Sequence, residues 1–381
     1  MRYLVKVAKA LYVLAFTKLA YAVLHRNGAA RSGPHLSRSV KIVCRYGLPS
    51  GITNGALYNA RALESLGYDV QCVDVTKELK NPFARVVCEP GGTFIYHCAA
   101  PQFLLLAWPL RRLFRTGKSI AYFAWELADP PHDWPKYDDL WDEIWTPSSF
   151  SANSLAKMYT CPIRVVPHVL LDLGTPRVWR KGNEPLSFLT IADPRMSMMR
   201  KNTQAVARAF RLAFPDEKDV ALTIKLQNGL STNQIQKLYD EIANDPRIRV
   251  LQQTLPRPEV DRLFTDSHVY VSMHRAEGFG LPLLEARLLG LATIATAWSG
   301  NMDFMSPDDS VLVPYKLLTM QDEGGAYGKA TWAEPDIDAC AAAMRRFYED
   351  PAYLAHIARS GWTASQPEKQ LAQLEDVLCD A

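Results

Sequence analysis

The chain has 381 residues, 48% hydrophobic and 22% charged, an ordinary soluble composition with apolar material for two cores. Its net charge of +3 hides an asymmetry: ten Lys and Arg precede the first acid, Glu64, leaving 33 basic against 40 acidic residues in the remainder. That mildly acidic body argues against a nucleic-acid protein, whose basic surface would belong to the binding domain itself.

Met1 to Leu24 mixes Leu, Val, Ala, Tyr and Phe with Arg2, Lys6 and Lys9, which share one helical face. Lys18 interrupts the apolar stretch, so no run approaches the roughly 20 residues of a spanning helix. Residues 1–38 are therefore expected to form a basic amphipathic segment on an anionic membrane surface. A helix packed on the protein's own body is the alternative, and Ala20-Tyr21-Ala22 also resembles a signal-peptide cleavage site. The seven cysteines (44, 72, 88, 98, 161, 340, 379) are odd in number and lack C-x-x-C spacing. Most sit in apolar runs and read as reduced core residues of a cytosolic protein, neither a disulfide framework nor a zinc site.

From Lys41 the text alternates strand and helix, which implies parallel sheets. Lys41–Tyr46 is a strand, Gly47–Gly55 a Gly/Pro/Ser-rich loop, and Ala56–Leu66 a helix closed by Gly67. Further strands are expected at Asp69–Val75, Thr93–Ala99, Ser119–Glu126, Glu143–Pro147 and Ile163–His168. Composition shifts at 170–184, an apparent interdomain linker, so residues 39–169 form a first Rossmann-like domain. In the second, 185–350, strands are expected at Leu186–Ala192, Val220–Gln227, Ile248–Gln253, Val269–His274, Ala292–Thr296 and finally Ser310–Tyr315. Helices are expected at Asn202–Phe214, Thr232–Asn244 and Pro256–Asp266, and helices over 351–381 close the chain.

The most informative run is His-Arg-Ala-Glu-Gly-Phe-Gly-Leu-Pro-Leu-Leu-Glu-Ala-Arg (274–287). Pro282 suits a first helical turn, where its missing N–H costs nothing. Glu277 therefore lies in the loop leaving a strand, and Glu285 about one turn into the following helix. Both carboxylates face one crevice at the carboxyl end of a parallel strand, where α/β folds bind ligands. Gly278 and Gly280 permit close backbone approach, and a helix N-terminus favours an anion. Carboxylates for hydroxyls beside a phosphate-binding helix start describe a nucleotide-sugar site. Taken alone, the pair would also read as a loop acid and an acid early in a helix.

This run is similar to the E-x7-E motif of retaining glycosyltransferases of family 4, as is the text Ala292–Met305. The resemblance covers about residues 40–350 and is densest in the second half. It implies an α/β GT-B fold, two Rossmann-like domains with parallel sheets facing a central cleft, the first for acceptor and the second for nucleotide sugar. By that likeness Glu277 contacts the donor sugar's hydroxyls and Glu285 holds the ribose. The backbone at Gly278, Phe279, Gly280 and Leu281 serves sugar and diphosphate, and Arg275 braces the donor loop.

Transfer from such a donor places growing negative charge on the leaving diphosphate, which pre-positioned cations must meet. In Asp193–Asn202, Arg195 and Lys201 resemble the family's diphosphate-binding pair, with Arg200 competing for the place of the Arg. Given that pair, no metal or other cofactor is expected. The D-x-D string Asp336-Ile337-Asp338 opens a helix and reads as a cap. The loop residues Gly51, Asn54 and Gly55 lack G-x-G-x-x-G spacing, which leaves a nicotinamide dehydrogenase poorly supported, and look like the family's cleft loop. Glu126, after Tyr122-Phe123-Ala124-Trp125, resembles a family Glu that orients the acceptor or lies under the reacting carbon. His97 reads as a strand histidine.

The expected function is transfer of a hexose, GDP-mannose being favoured slightly over UDP-sugars as donor, to a lipid-linked or polysaccharide acceptor of bacterial surface glycans. The enzyme would be peripheral on the inner face of the plasma membrane. A nucleotide-sugar epimerase or inverting GT-B enzyme is one alternative, and a catalytically silent GT-B partner subunit another. No protein nucleophile is evident; the resemblance implies front-face substitution.

Overall fold

The computed structural model describes residues 15–26, 37–48, 50–81, 83–131, 134, 136–171, 174–176, 178–182, 184–193, 197–228, 232–322 and 327–380. They divide into two units. The first comprises the described residues up to Trp125, Pro130–Leu171 and those from Gln370; the second comprises Glu126–Asp129 and Asp172–Lys369.

The first unit is a six-stranded parallel sheet built from β1 (Ser39–Cys44), β2 (Asp69–Asp74), β3 (Thr93–Cys98), β4 (Lys118–Phe123), β5 (Glu143–Thr146) and β6 (Ile163–Val165), in the order β2-β1-β3-β4-β5-β6. Every residue of β3, β4 and β5 is buried, as expected for strands covered on both faces. The edge strand β2 is mostly exposed, and Cys72 on it is therefore not the core residue expected. Cys44, Cys98 and Cys340 are buried, Cys379 is exposed, and all seven are free thiols.

Helix α1 (Gly51–Ser65) begins earlier than the glycine content suggests. Ser50 caps it, its Oγ accepting from the Thr53 N–H at 3.1 Å. Gly51, Asn54 and Gly55 thus stand in the first turns of a helix and not in a loop. Gly55 serves close packing, because a Cβ there would lie 2.4 Å from His168 Cε1. His97 is buried and stacked on Tyr122, ring centroids 4.1 Å apart.

Residues 15–26 form a helix that packs on this unit. Ala20 and Leu24 are fully buried, Phe16 meets Trp108 edge-on at 5.3 Å, and Tyr21 stacks on Tyr137 at 5.1 Å. Tyr21 donates to Asp139, with which His25 also pairs. This part of the N-terminal segment is thus seated on the protein's own body. Arg2, Lys6 and Lys9 lie outside the described residues.

The second unit is another six-stranded parallel sheet: β7 (Leu186–Ala192), β8 (Val220–Leu226), β9 (Ile248–Gln252), β10 (Val269–Ser272), β11 (Ala292–Thr296) and β12 (Val311–Val313). Its order is β12-β11-β10-β7-β8-β9, so chain progression reverses between β7 and β10. That is the dinucleotide-fold order, with its switch point at this strand pair. The stretch 170–184 is more than a linker. Leu170 is buried, and Trp179 is buried in the second unit's core with its indole N–H on the Glu184 carbonyl at 2.9 Å.

The sequence reading ends the strands at Tyr315, but an antiparallel hairpin follows, β13 (Tyr315–Gln321) and β14 (Lys329–Pro335). Among the described residues its strands pair only with each other, and Leu317 and Leu318 are both exposed, so no two-residue burial pattern marks β13. Helices α9 (Ile337–Glu349) and α10 (Pro351–Ala364) then pack in the second unit. The last, α11 (Pro367–Asp380), returns to the first unit, burying Leu374 and Leu378 against its core.

The chain between the units is locked to the second one. Gly174 N–H donates to the Leu288 carbonyl at 2.8 Å, and Gly290, at φ +85°, would place a Cβ 2.0 Å from the Thr175 carbonyl oxygen. Gly290→Ala is expected to lower stability by roughly 2–4 kcal/mol, from left-handed backbone strain plus the collision. A urea midpoint equal to that of the unaltered chain would contradict this packing.

Candidate active site

The site grows from the two strands that flank the switch point. After β7, a short helix α4 (Met198–Lys201) is capped by Ser197, whose Oγ accepts from the Arg200 N–H at 3.0 Å. Asn202 follows in the left-handed region at φ +51°, which Asn tolerates better than most residues. This kink ends α4 and starts α5 (Thr203–Ala213). The main chain joins the two loops, Arg275 N–H donating to the Arg200 carbonyl at 2.8 Å.

After β10 the chain runs through buried Met273, His274 and Ala276 to Glu277, itself 7% exposed. A second loop holds it. The Glu277 N–H donates to Ser299 Oγ and its carbonyl accepts from the Gly300 N–H, both at 2.9 Å. Gly300 is required there, since a Cβ would sit 2.2 Å from the Gly278 carbonyl oxygen. Ser299 adopts φ +83°, a strained conformation for a side-chain-bearing residue of the kind found at functional sites. His274 bridges Ser272 Oγ at 2.9 Å and Asn301 Oδ1 at 3.1 Å, tying strand end to loop. Gly280 at φ +93° then turns the chain into helix α8 (Leu281–Leu288), with Pro282 in its first turn.

Two cations meet the buried Glu277 carboxylate. Lys201 Nζ donates to Oε1, and Arg200 Nη1 stands 3.2 Å from Oε2 and 2.8 Å from the Ala276 carbonyl. Arg200 Nη2 also lies 3.7 Å from Glu126 Oε1, so Glu126 joins the same cluster. Burial alone would raise the Glu277 pKa; the charges of Lys201 and Arg200 outweigh it and hold the group at about 2. Burial draws Lys201 below its ordinary value.

Glu285 is buried on α8 and paired with Arg257 on α7 (Arg257–Thr265) at 2.5 Å. Glu277 and Glu285 share a neighbour, the buried Tyr270 of β10. Its phenol is pushed up first by burial and then by both carboxylates. Arg275 is engaged by Glu334 at 2.6 and 2.9 Å and by the Met199 carbonyl at 2.6 Å, so it braces the loop. Phe279 is buried, its ring 5.0 Å from Phe304.

The structure thus brings together Lys201, Glu277 and Glu126. Arg195 lies outside the described residues, and Gly51, Asn54 and Gly55 belong to the first unit. Asp336 Oδ1 accepts from the Ala339 N–H at 3.0 Å, which is the capping role expected of it. Sequence reasoning gave Ser299 no role beyond its place in the family-like text 292–305, and missed Arg257, Asp322 and Tyr327. Only Arg257 carried a signal, an acid four residues on at Asp261, with which it pairs at 2.7 Å. Among the described residues no group of three or more His, Cys, Asp or Glu could hold a metal ion.

The depressed pKa of Glu277 links charge to stability. A carboxyl lowered on folding contributes stability that is present above its unfolded pKa, near 4.5, and lost as pH falls toward about 2. Thermal unfolding from pH 6 to 2 should therefore show an acid loss that Glu277→Gln reduces, on the order of 3 kcal/mol at most. Identical pH profiles for the two proteins would contradict the ion-pair arrangement.

Residues 199–361 match the family described as Glycosyl transferases group 1. Over 151 residues the chain is 28% identical to "Putative glycosyltransferase ORF330" of Acidianus filamentous virus 2 (isolate Italy/Pozzuoli), a match covering 39% of this chain and 44% of the viral one. Among solved structures it is similar to sucrose-phosphate synthase from Thermosynechococcus elongatus, with TM-score 0.62, 16% identity, and 89% and 97% of the two chains covered. Anabaena HepE in complex with UDP and glucose gives TM-score 0.60 at 12% identity, covering 90% of this chain and all of that one. The pneumococcal O-GlcNAc transferase GtfA in complex with UDP and GlcNAc gives 0.55 at 15% identity, covering 75% of this chain and 56% of GtfA. The two units, each a six-stranded parallel sheet, have the GT-B fold, and the second carries the segment similar to group 1 glycosyl transferases.

Proposed function

We propose that the protein is a retaining glycosyltransferase that moves a hexose from a nucleotide diphosphate sugar to a lipid-linked or polysaccharide acceptor of bacterial surface glycans. The observation that carries this reading is the buried Lys201–Glu277–Arg200 cluster at the switch point of a dinucleotide-type sheet, with Glu285 one turn into the next helix. A carboxylate kept ionised suits an acceptor of sugar hydroxyl hydrogen bonds. Lys201 supplies a cation beside it for the diphosphate, assisted by Arg195, and Glu285 takes the ribose in exchange for part of its contact with Arg257.

In the proposed reaction the anomeric C–O bond to the diphosphate breaks and the acceptor oxygen bonds to the same face of the carbon. A leaving phosphate oxygen takes the acceptor proton, and Lys201 and Arg195 stabilise the departing charge. Those cations would replace a divalent metal. GDP-mannose remains the proposed donor, by analogy with the sequence resemblance. UDP-sugars are its rivals, because HepE and GtfA are complexes with UDP.

Donor turnover with GDP- and UDP-sugars tests the assignment. Lys201→Ala should lower kcat by about a hundredfold, and Glu285→Gln should chiefly raise the donor KM. The product anomer, read by NMR, should keep the donor configuration, and activity should survive exhaustive EDTA. Near-unaltered kinetics in either variant would remove the donor-site assignment, and inversion at the anomeric carbon would remove the retaining one. Loss of activity in EDTA with rescue by manganese would overturn metal independence.

We further propose a peripheral place on the inner face of the plasma membrane. Support comes from the seven Lys and Arg among residues 1–38, a stretch without an acid, and from exposed Lys18 and Leu19 on the docked N-terminal helix. Among the described residues no helix is long and apolar enough to cross a membrane. The full chain should sediment with anionic vesicles, less so in moderate salt, and poorly with neutral ones. Equal recovery in the supernatant with and without anionic vesicles would refute this placement.

A further inference from the structure

The hairpin β13–β14 reaches the donor-side cluster through three side chains. Ser197, the cap of α4, donates to Asp322 Oδ1 at 2.6 Å, and Asp322 Oδ2 accepts from the Tyr327 N–H at 3.1 Å. The Tyr327 ring centroid is 5.6 Å from the Arg200 guanidinium carbon. From β14, Glu334 holds Arg275, and the Ala333 N–H donates to the Arg275 carbonyl at 3.0 Å. The hairpin therefore fixes both segments that meet at Arg200.

Arg200 itself is 5% exposed, and its two terminal nitrogens face protein oxygens: the Ala276 carbonyl, Glu277 and Glu126. A cation meant to fork a diphosphate would present those nitrogens to the ligand. A planar guanidinium between two carboxylates instead sets their spacing and orientation, which a flexible ammonium does less well. A carboxylate that grips a sugar, the role proposed for Glu277, needs a support of this kind, since small misplacements weaken the grip.

We propose that Arg200 is a positioning residue, clamped by the β13–β14 hairpin, that fixes the Glu277 and Glu126 carboxylates in one arrangement and, through Glu277, governs capture of the donor sugar. Its kinetic consequence rests on the nucleotide-sugar reading; its electrostatic consequence needs no donor.

The test uses the full chain with Arg200→Met, Arg200→Lys and Asp322→Asn, each first shown to be folded by circular dichroism. The Glu277-linked acid loss of stability, read as the difference from the same protein carrying Glu277→Gln, should move to higher pH in Arg200→Met. Arg200→Lys should restore it in part. Asp322 touches neither carboxylate, yet Asp322→Asn should raise the donor KM about tenfold while changing kcat far less. An unmoved acid loss in folded Arg200→Met, or an unaltered KM in Asp322→Asn, would overturn the proposal. If Arg200→Met does not fold, the Arg200→Lys profile and the Asp322→Asn KM decide it by the same criteria. An unaltered chain that turns over no nucleotide sugar would instead sink the donor reading, leaving the pH displacement to judge Arg200.

Discussion

An ionised carboxylate with almost no access to water is the constraint on which the second unit turns. Glu277 loses most of its hydration, a penalty of several kcal/mol for an isolated charge, and that loss is offset only by cations already in place. Those cations arrive from another strand, on a loop that must end at the right depth and angle. Hence the sheet order, which places β7 beside β10, and the left-handed Asn202, which stops α4 directly after Lys201. Hence also the strain at Ser299, whose hydroxyl accepts from the Glu277 N–H. Removing either neighbouring cation leaves a buried charge short of compensation, which is the expensive way to break such a pair.

The helix that carries Glu285 is fixed by a similar device. Arg287 is fully buried and answered by Asp309 at 2.7 Å and Ser365 at 2.6 Å, which ties α8 to the chain before β12 and to the end of α10. Gly290 and the chain crossing from the first unit close its other end. Two buried guanidinium groups, Arg200 and Arg287, thus order the loop and the helix that bear the two acids. Such pairs add little net stability compared with an apolar core, but their geometry is specific, and a site needs geometry.

In the first unit, apolar and aromatic packing seats the N-terminal helix, and one acid adds polar contacts. Apolar Phe16, Ala20 and Leu24 point inward at helical spacing, while Tyr21 and His25 converge on Asp139. Basic composition alone suggested a surface device there; aromatic partners at Trp108 and Tyr137, more than 80 positions distant in sequence, decide how its described part sits.

The sequence by itself determined the alternation of strands and helices, the two parallel-sheet units, and the placing of Glu277 in the loop leaving a strand and Glu285 in the helix that follows; the family resemblance, and not local pattern, supplied the GT-B fold. The elements follow from local causes: β-branched runs, proline in a first turn, and a motif contiguous in the chain. Gly55 shows the limit of local evidence, because a glycine-rich stretch reads as a loop whether its glycines bend the chain or admit His168. The hairpin was invisible for a related reason, since β13 is mostly exposed and β14 buries the adjacent Trp332 and Ala333, so neither strand leaves an alternation behind. Only the tertiary structure decided that Arg200 serves Glu277 and Glu126, that Glu334 and Asp322 support it, and that α11 returns to the first unit. Each of these depends on charges or apolar faces brought together from distant positions, and no spacing within one segment encodes which buried carboxylate a given arginine will meet.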